Sequence, residues 1–135
     1  MQLLFREPMN RQLQNTPIVS IIDDDQGVRH AVQRLMRSRG FDTRAFASAE
    51  EFLQSPSLHE TACVITDIQM PGMTGIELQD RLKTAGTHCP VIVVTASPDS
   101  SLRDRALAAG AVGVLGKPFS DETLIACLDG ALAPR

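Results

Sequence analysis

The chain of 135 residues is long enough for one ordinary domain and too short for two sizeable ones. Its composition, 43% hydrophobic and 21% charged, is typical of a soluble globular protein, and no apolar run approaches the roughly 20 residues of a membrane-spanning helix. A net charge of −3, without a basic stripe that carries aromatic residues, argues against direct binding to nucleic acid.

The N-terminal segment and the cysteines bear on where the protein works. Residues 1–16 form a polar arm with neither the long apolar run nor the small-residue cleavage site of a signal peptide. Cys63, Cys89 and Cys127 are odd in number and lie in apolar surroundings, which favours a reducing compartment over a disulfide framework. We therefore expect a cytoplasmic protein whose single domain spans residues 17–133.

Apolar runs alternate with helix-like segments from residue 17 onwards. Four runs are continuous, as in strands buried on both faces of a sheet: Ile18–Ile22, Ala62–Thr66, Val91–Thr95 and Ala111–Leu115. Phe41–Phe46 alternates apolar and polar residues, which is typical of an edge strand. Five strand–helix units in succession predict an α/β fold, with a parallel sheet covered by helices on both faces.

The predicted helices begin and end at characteristic residues. Ser48 and Thr74 each have a glutamate three residues later, which is the spacing of a capping box. Three glycines follow helices at the position where a left-handed residue ends the helix: Gly40, Gly86 and Gly110. The last helix is predicted from about Ser120 to Leu132.

Polar residues stand at the ends of four of the predicted strands. They are Asp23, Asp24 and Asp25 after the first strand, Asp67 after the third, Thr95 at the end of the fourth and Lys117 after the fifth. The carboxyl ends of parallel strands share one edge of the sheet, where ligands bind. We therefore expect these side chains to converge.

Convergence of the aspartates requires a compensating cation. Two carboxylates about 5 Å apart repel by about 3 kcal/mol at an effective dielectric constant near 20. Asp24 and Asp67, with Asp23, predict a Mg²⁺ site, because this ion prefers carboxylate, water and phosphate oxygens. An ionised aspartate beside Mg²⁺ and a lysine can accept a phosphoryl group as an acyl phosphate. The Lys117 ammonium and the Thr95 hydroxyl would then meet the charge on the transferred oxygens.

Four motifs in this order resemble the receiver domain of two-component response regulators: IIDDD, VITDIQMPGMTG, VVTAS and GKPF. The segments FASAEEFL and AGAVGVLGKPF are most similar to the FixJ-like branch, whose receivers are commonly followed by a helix-turn-helix output domain. The resemblance covers about residues 17–132. It implies a flavodoxin-like, doubly wound sheet of five parallel strands in the order 2-1-3-4-5, with five helices.

The resemblance also implies roles, partners and a backbone feature. The residues concerned are Asp67 as phosphoacceptor, Asp23 and Asp24 as the acidic pair, Gln69 as the source of a backbone carbonyl metal ligand, Thr95 as the switch hydroxyl and Lys117 as the phosphoryl-binding lysine. A histidine kinase is the implied donor, an output domain or downstream protein the implied recipient of the signal, and a homodimer one outcome of phosphorylation. The Lys117–Pro118 bond is expected to be cis.

At one position the chain departs from the family pattern. Val114 stands three residues before Lys117, where the family usually has an aromatic residue. Valine is short and stiff at χ1, so it cannot fill the space that Thr95 would vacate on switching. We expect the coupling to run through the backbone of Ser97–Asp104 or to be weaker. Gln69 and Ser97 are expected to affect the lifetime of the phosphoryl group.

Each candidate also has a purely structural interpretation. Asp25, and even Asp24, could cap the helix that begins near Gln26; we prefer the cap for Asp25 and the functional role for Asp24. Thr95 could simply finish a strand, and Lys117 could be a surface lysine. Asp67 alone could be a turn residue. Their common position at the strand ends favours function for all three.

Two further functions compete with the signalling switch. One is a small haloacid-dehalogenase-like, Mg²⁺-dependent phosphatase, because Asp23 and Asp25 form an Asp-x-Asp motif; the chain offers no cap segment for it and would leave Asp67 unexplained. The other is a receiver-like scaffold that is never phosphorylated. The chain stops just after the fifth predicted helix, so it is expected to be either a stand-alone receiver or the receiver part of a longer regulator.

Overall fold

The computed structural model of the protein describes residues 16–96 and 99–133. In these ranges the strands are β1 (Ile18–Ile22), β2 (Asp42–Phe46), β3 (Cys63–Asp67), β4 (Val91–Thr95) and β5 (Gly113–Gly116). The helices are α1 (Gln26–Ser38), α2 (Ala49–Leu53), α3 (Gly75–Thr84), α4 (Ser100–Ala108) and α5 (Asp121–Leu132), with a short 3-10 turn at Pro56–His59. The predicted N-terminal arm, apart from Thr16, and Ser97 lie outside the described residues.

The five strands form one parallel sheet in the order β2-β1-β3-β4-β5. This confirms the predicted doubly wound fold. The register places Ile22 opposite Thr66, Asp67 opposite Val94 and Thr95 opposite Gly116. The ends of β1, β3, β4 and β5 therefore lie together along the carboxyl edge of the sheet.

Two apolar clusters cover the two faces of the sheet. On one face, α1 and α5 pack against alternate residues of the central strands, with Met36 and Leu128 fully buried. On the other face, α2, α3 and α4 cover the remaining strand residues, with Phe52 and Leu78 fully buried. The strands between these layers are buried on both sides, which explains why their sequences are continuously apolar.

Three predicted strands differ from the structure. The second begins at Asp42, one residue later than predicted. The third begins and ends one residue later than predicted, so that Asp67 is the last residue of β3 rather than the residue after it. The fifth, predicted at Ala111–Leu115 as a strand buried on both faces, is the edge strand Gly113–Gly116, in which only Val114 is buried. The Ala111 amide donates to the Ala106 carbonyl, which makes Ala111 part of the turn that ends α4.

The predicted helix boundaries are confirmed. Thr74 and Glu77 form a reciprocal capping box at the start of α3, and the Ser48 hydroxyl accepts a hydrogen bond from the Glu51 amide at the start of α2. The Glu51 carboxylate accepts a hydrogen bond from the Ala47 amide and not from the Ser48 amide, so this second capping box is incomplete. The three C-terminal glycines have positive φ angles: 89° at Gly40, 76° at Gly86 and 104° at Gly110.

Within residues 16–96 and 99–133, none of the helices has the length and apolar character needed to cross a membrane.

Candidate functional site

Two aspartates and a lysine meet at the carboxyl edge of the sheet. The Lys117 Nζ donates to Asp23 Oδ2 at 2.8 Å and to Asp67 Oδ2 at 3.2 Å. Asp23 is 1% exposed and Asp67 is 7% exposed, so both ion pairs are shielded from solvent. Asp24 is exposed, and its carboxylate oxygen lies within 4.8 Å of those of Asp23 and Asp67. The predicted convergence is therefore present for Asp23, Asp24, Asp67 and Lys117.

Backbone contacts hold Asp23 in place directly after β1. Its amide donates to the Phe46 carbonyl at 3.1 Å, which extends the pairing of β1 with β2 by one bond. Its Oδ1 accepts a hydrogen bond from the Asp25 amide at 2.9 Å, and its own carbonyl accepts one from the Arg29 guanidinium at 2.7 Å. The side chain of Asp23 consequently points its second oxygen at Lys117.

Asp67 ends β3 at a tight turn into the loop that leads to α3. Its Oδ1 accepts a hydrogen bond from the Gln69 amide at 3.3 Å, while the Ile68 amide donates to the Val94 carbonyl of the neighbouring strand. The Gly75 amide then donates to the Ile68 carbonyl at 2.9 Å. A Cβ atom at Gly75 would collide with the Asp67 carbonyl, so this turn requires glycine at the first position of α3.

The end of β5 brings Lys117 to the carboxylates. The Lys117 amide donates to the Thr95 carbonyl at 2.8 Å, which aligns the lysine with the end of β4. The Lys117–Pro118 peptide bond is cis, as expected. Thr95 is fully buried as the last residue of β4, on the strand next to the one that ends at Asp67.

The burial and the charges of the site shift two pKa values. Burial raises the pKa of Asp67 above its ordinary value, although the positive charge of Lys117 acts in the opposite direction. Desolvation alone would lower the pKa of Lys117, but the hydrogen bond and charge of Asp23, with a contribution from Asp67, raise it above its ordinary value. Lys117 therefore remains protonated at neutral pH and offers a fixed positive charge.

The structure separates Asp25 from the other predicted aspartates. Asp25 is exposed and is the N-cap of α1, where its Oδ1 accepts a hydrogen bond from the Val28 amide at 3.1 Å. This confirms the structural interpretation of Asp25. Gln69 is exposed in the loop after Asp67, where its amide bonds to the Asp67 side chain.

Two features beside the site were not found from the sequence. Arg29 bonds to the carbonyl of Asp23, and Glu50 of α2 accepts a hydrogen bond from the amide of Met73 in the loop between β3 and α3. The spacing from Ser48 marks Glu51 as a capping residue, but no sequence pattern marks Glu50. An apolar groove of about 440 Å³ also borders Lys117, between α1 and the start of α5. It is lined by Val28, Ala31, Val32, Leu35, Pro118 and Phe119, together with Lys117 and Asp121.

The donor set fits a small, hard divalent cation. All three candidate ligands are carboxylates, whose oxygens are the atoms that Mg²⁺ prefers. Three carboxylates face one ammonium group, so the site has an excess of negative charge that a divalent ion would balance. Asp24 is open to solvent, which leaves room for water and for phosphoryl oxygens around such an ion.

Comparison with known sequences assigns the chain to a family. A family model described as the response regulator receiver domain matches residues 19–129. Nodulation protein W of Bradyrhizobium diazoefficiens is 38% identical over 108 residues, which cover 80% of this chain and 48% of that protein. The transcriptional regulatory protein FixJ of Azorhizobium caulinodans is 38% identical over 114 residues, which cover 84% of this chain and 54% of that protein. The chain thus spans about half the length of the curated relatives it matches.

Solved structures lead to the same family. The crystal structure of FixJ-N matches with a TM-score of 0.79 at 33% identity and covers 87% of this chain and 94% of that one. A response regulator receiver protein from Burkholderia phymatum matches with a TM-score of 0.77 at 44% identity and covers 89% of this chain and 98% of that one. These relatives give no support to the phosphatase alternative. The chain belongs to the response regulator receiver domain family, the signalling module of two-component systems.

Proposed function

We propose that this domain accepts a phosphoryl group on Asp67 from a histidine kinase, in a Mg²⁺-dependent reaction, and thereby switches a protein–protein interaction surface. The observation that carries the proposal is the shielded pairing of the Asp67 carboxylate with Lys117 at 3.2 Å, next to the carboxylates of Asp23 and Asp24. It supplies a nucleophile, a fixed positive charge and cation ligands at one point of the sheet edge.

The proposed chemistry needs no general base. At neutral pH an ionised aspartate is already a nucleophile, and an Asp67 oxygen forms a bond to phosphorus as the phosphorus–nitrogen bond of a phosphohistidine breaks. The electron pair of that bond returns to the donor's histidine nitrogen. Lys117, held by Asp23, is placed to bind an oxygen of the transferred group, and the Thr95 hydroxyl is the proposed second partner.

Receiver domains generally bind Mg²⁺ at such an acidic pocket. Here Asp23, Asp24 and Asp67 are the proposed carboxylate ligands, and the backbone carbonyl of Gln69 is the proposed fourth protein ligand. When bound, the cation supplies positive charge that lets a phosphoryl group approach the carboxylates. Water attack at phosphorus breaks its bond to the Asp67 oxygen, releases inorganic phosphate and restores the carboxylate of Asp67. The domain is accordingly a regulatory phosphoacceptor whose chemistry is confined to its own aspartate.

The partners follow from the same proposal. A protein donor needs a surface beside Asp67, and the apolar groove along α1 borders Lys117. Because the chain spans about half of its curated relatives, an output domain or a separate downstream protein is the proposed recipient of the signal. Phosphorylation could also act through a homodimer. We propose residues 17–133 as the receiver, preceded by the arm at 1–16, acting in the cytoplasm without direct contact to membrane or nucleic acid.

Acetyl phosphate with Mg²⁺ tests the proposal. The wild-type domain should gain one acid-stable, hydroxylamine-labile phosphoryl group, detected by intact mass, and Asp67→Asn should abolish it. Asp25→Asn is the matched control, because Asp25 only caps α1, and it should still be phosphorylated. A label that persists in Asp67→Asn, or rapid turnover of a generic phosphoester that Asp25→Asn removes, would refute the proposal and favour the phosphatase.

A further inference from the structure

Glu50 connects α2 to the loop between β3 and α3, which we call the acceptor loop (residues 68–74). Its Oε2 accepts a hydrogen bond from the Met73 amide at 3.2 Å, across 23 residues of sequence. Gly72, next to Met73, has a φ of 77°, and a Cβ atom there would lie 2.6 Å from the same oxygen. The carboxylate thus lies directly against the backbone of the acceptor loop, and glycine permits this approach.

The other carboxylate oxygen of Glu50 is unusual. Oε1 is buried and has no hydrogen-bond partner among the described residues. An acceptor that loses its water without gaining a donor is costly, and buried polar groups are nearly always satisfied. The fold therefore keeps Glu50 in a position that is not optimal for the carboxylate itself. A role in holding the acceptor loop would account for this placement.

The acceptor loop contains the proposed metal-binding backbone. Its first part is anchored, because Ile68 and Met70 are buried in the same apolar cluster as Phe52 of α2. Gln69, between these two anchors, is the residue whose carbonyl is the proposed cation ligand. The second part, at Gly72 and Met73, is attached to α2 through Glu50. Gln69 is also held by the bond of its own amide to Asp67, so loss of the Glu50 bond would free Gly72 and Met73 and act on the Gln69 carbonyl through the loop backbone.

We infer that Glu50 is a positioning residue of the phosphoacceptor site: by holding Gly72 and Met73, it fixes the acceptor loop in the conformation that presents the Gln69 carbonyl to Mg²⁺. The inference rests on the proposed function only in taking this carbonyl as a cation ligand. Glu50 itself does not touch the reacting atoms. Such outer partners orient metal ligands, and their loss typically lowers metal affinity by about 10- to 100-fold.

Glu51 provides a matched control on the same helix. Its Oε2 also accepts a backbone hydrogen bond, from the Ala47 amide at 3.0 Å, but that bond lies at the start of α2 and not in the acceptor loop. Glu50→Ala and Glu51→Ala each remove one carboxylate-to-amide bond from α2. Glu50→Gln keeps an amide oxygen that can accept from Met73 and places an NH₂ group at the unpartnered position.

The test measures the Mg²⁺ dissociation constant of each variant by isothermal titration calorimetry. Glu50→Ala should weaken Mg²⁺ binding about tenfold, whereas Glu50→Gln and Glu51→Ala should stay close to wild type. Phosphorylation of Glu50→Ala by acetyl phosphate should be slow at limiting Mg²⁺ and recover at saturating Mg²⁺. In the absence of metal, amide hydrogen exchange at Met73 should be faster in Glu50→Ala and unchanged at Val93 in the core.

Two results would overturn the inference: an unchanged Mg²⁺ affinity in Glu50→Ala, or an equal loss of affinity in Glu51→Ala. Amide hydrogen exchange at Val93 shows whether Glu50→Ala is folded. If it is not, the Mg²⁺ affinity of Glu50→Gln decides the question. An affinity close to that of the wild type supports the inference, and a weakened affinity refutes it. Failure of the proposed function can be distinguished from failure of this inference. A wild-type domain that binds Mg²⁺ but accepts no phosphoryl group would refute the proposed function, and it would still allow every comparison of Mg²⁺ affinity.

Discussion

The two helices that follow the strands ending at Asp67 and Thr95 are held in the fold in different ways. Helix α3, after Asp67, begins with a complete capping box and packs Leu78 and Leu82 into the core. Its first residue, Gly75, lies against the Asp67 carbonyl. A helix with these contacts cannot shift without disturbing the core and the backbone of Asp67 together.

Helix α4 buries one residue, Ala106, and leaves Leu107 42% exposed. Among the described residues, two side-chain hydrogen bonds connect it to neighbouring elements: Gln79 of α3 donates to the Ala106 carbonyl at 3.1 Å, and Arg103 donates to the Val114 carbonyl of β5 at 3.4 Å. The apolar layer therefore contributes little to the position of this helix. A few polar contacts determine where it lies.

This difference divides the domain into a fixed side and a movable side. Local stability is lowest where few apolar contacts are buried, and a ligand shifts a conformational equilibrium only through contacts that differ between the two states. The side formed by β3 and α3 would provide constant geometry for the proposed chemistry at Asp67. The α4 side is where a change at Thr95 could move structure at small cost.

The largest expected effect is a stability difference between matched leucines of the two helices. Leu78→Ala in α3 should lower the free energy of unfolding by about 2–5 kcal/mol, because it leaves a cavity in the core. Leu102→Ala in α4 should cost only about 1 kcal/mol, since Leu102 is half-buried at the margin of the same cluster. Urea unfolding of the two variants provides the measurement. Equal losses would mean that α4 is anchored as firmly as α3.

A second prediction concerns the response to a phosphoryl mimic. Beryllofluoride with Mg²⁺ should change amide chemical shifts around Asp24, around Asp67 and along residues 96–104 much more than at Val114. The reason is that valine provides no large side chain to carry motion from Thr95 into β5. Within the two compared helices, the start of α4 should respond more than the second half of α3.

The control for this experiment is Asp67→Asn, which should show none of these shifts. Changes at Val114 and along Thr123–Leu128 as large as those beside Asp67 would show that an aromatic residue is not needed for coupling here. Changes along all of α3 would remove the distinction between a fixed and a movable side.

The smallest expected effect is a pH dependence at the start of α3. Hydrogen bonds with Thr74 hold the pKa of Glu77 below its ordinary value of 4.5. A lowered pKa means that the carboxylate contributes to stability above about pH 4.5, and that this contribution is lost as the pH falls through the folded-state pKa. Amide shifts of the first turn of α3 should therefore titrate with a midpoint below 4.5, and Glu77→Gln should remove the transition. A midpoint at or above 4.5 would contradict the capping box.

The sequence predicts much of this arrangement because local chemistry determines it. Capping residues such as Thr74 and terminal glycines such as Gly86 act within a few neighbouring residues, so the helix boundaries can be derived from the sequence alone. The ends of buried strands predict the meeting of Asp23, Asp67 and Lys117, because parallel strands share one edge.

The features that could not be predicted depend on contacts between distant segments. The continuous apolar run at Ala111–Leu115 has by itself the pattern of a central strand, and only the family resemblance, through the strand order 2-1-3-4-5, predicts its place at the edge. Glu51 is marked by its spacing from Ser48 and bonds locally to the Ala47 amide, whereas only the packing of α2 against the acceptor loop brings Glu50 to the Met73 amide. The same is true of the hydrogen bond from Gln79 to Ala106, which joins residues 27 positions apart.

The three carboxylates that face a single ammonium group also impose an order of events. With Asp23, Asp24, Asp67 and Lys117 charged, two negative charges remain in excess at this edge of the sheet. A dianionic donor that approaches the bare site is repelled by about 3 kcal/mol for each pair of negative charges 5 Å apart that no positive charge offsets. Repulsion of this size slows the encounter more than about a hundredfold. A divalent ion held by Asp23, Asp24 and Asp67 would offset this repulsion before a donor approached. On the proposed function, Mg²⁺ would therefore have to be bound before a collision with the donor could be productive, and the rate of phosphorylation would depend on the occupancy of Asp23, Asp24 and Asp67 by the ion.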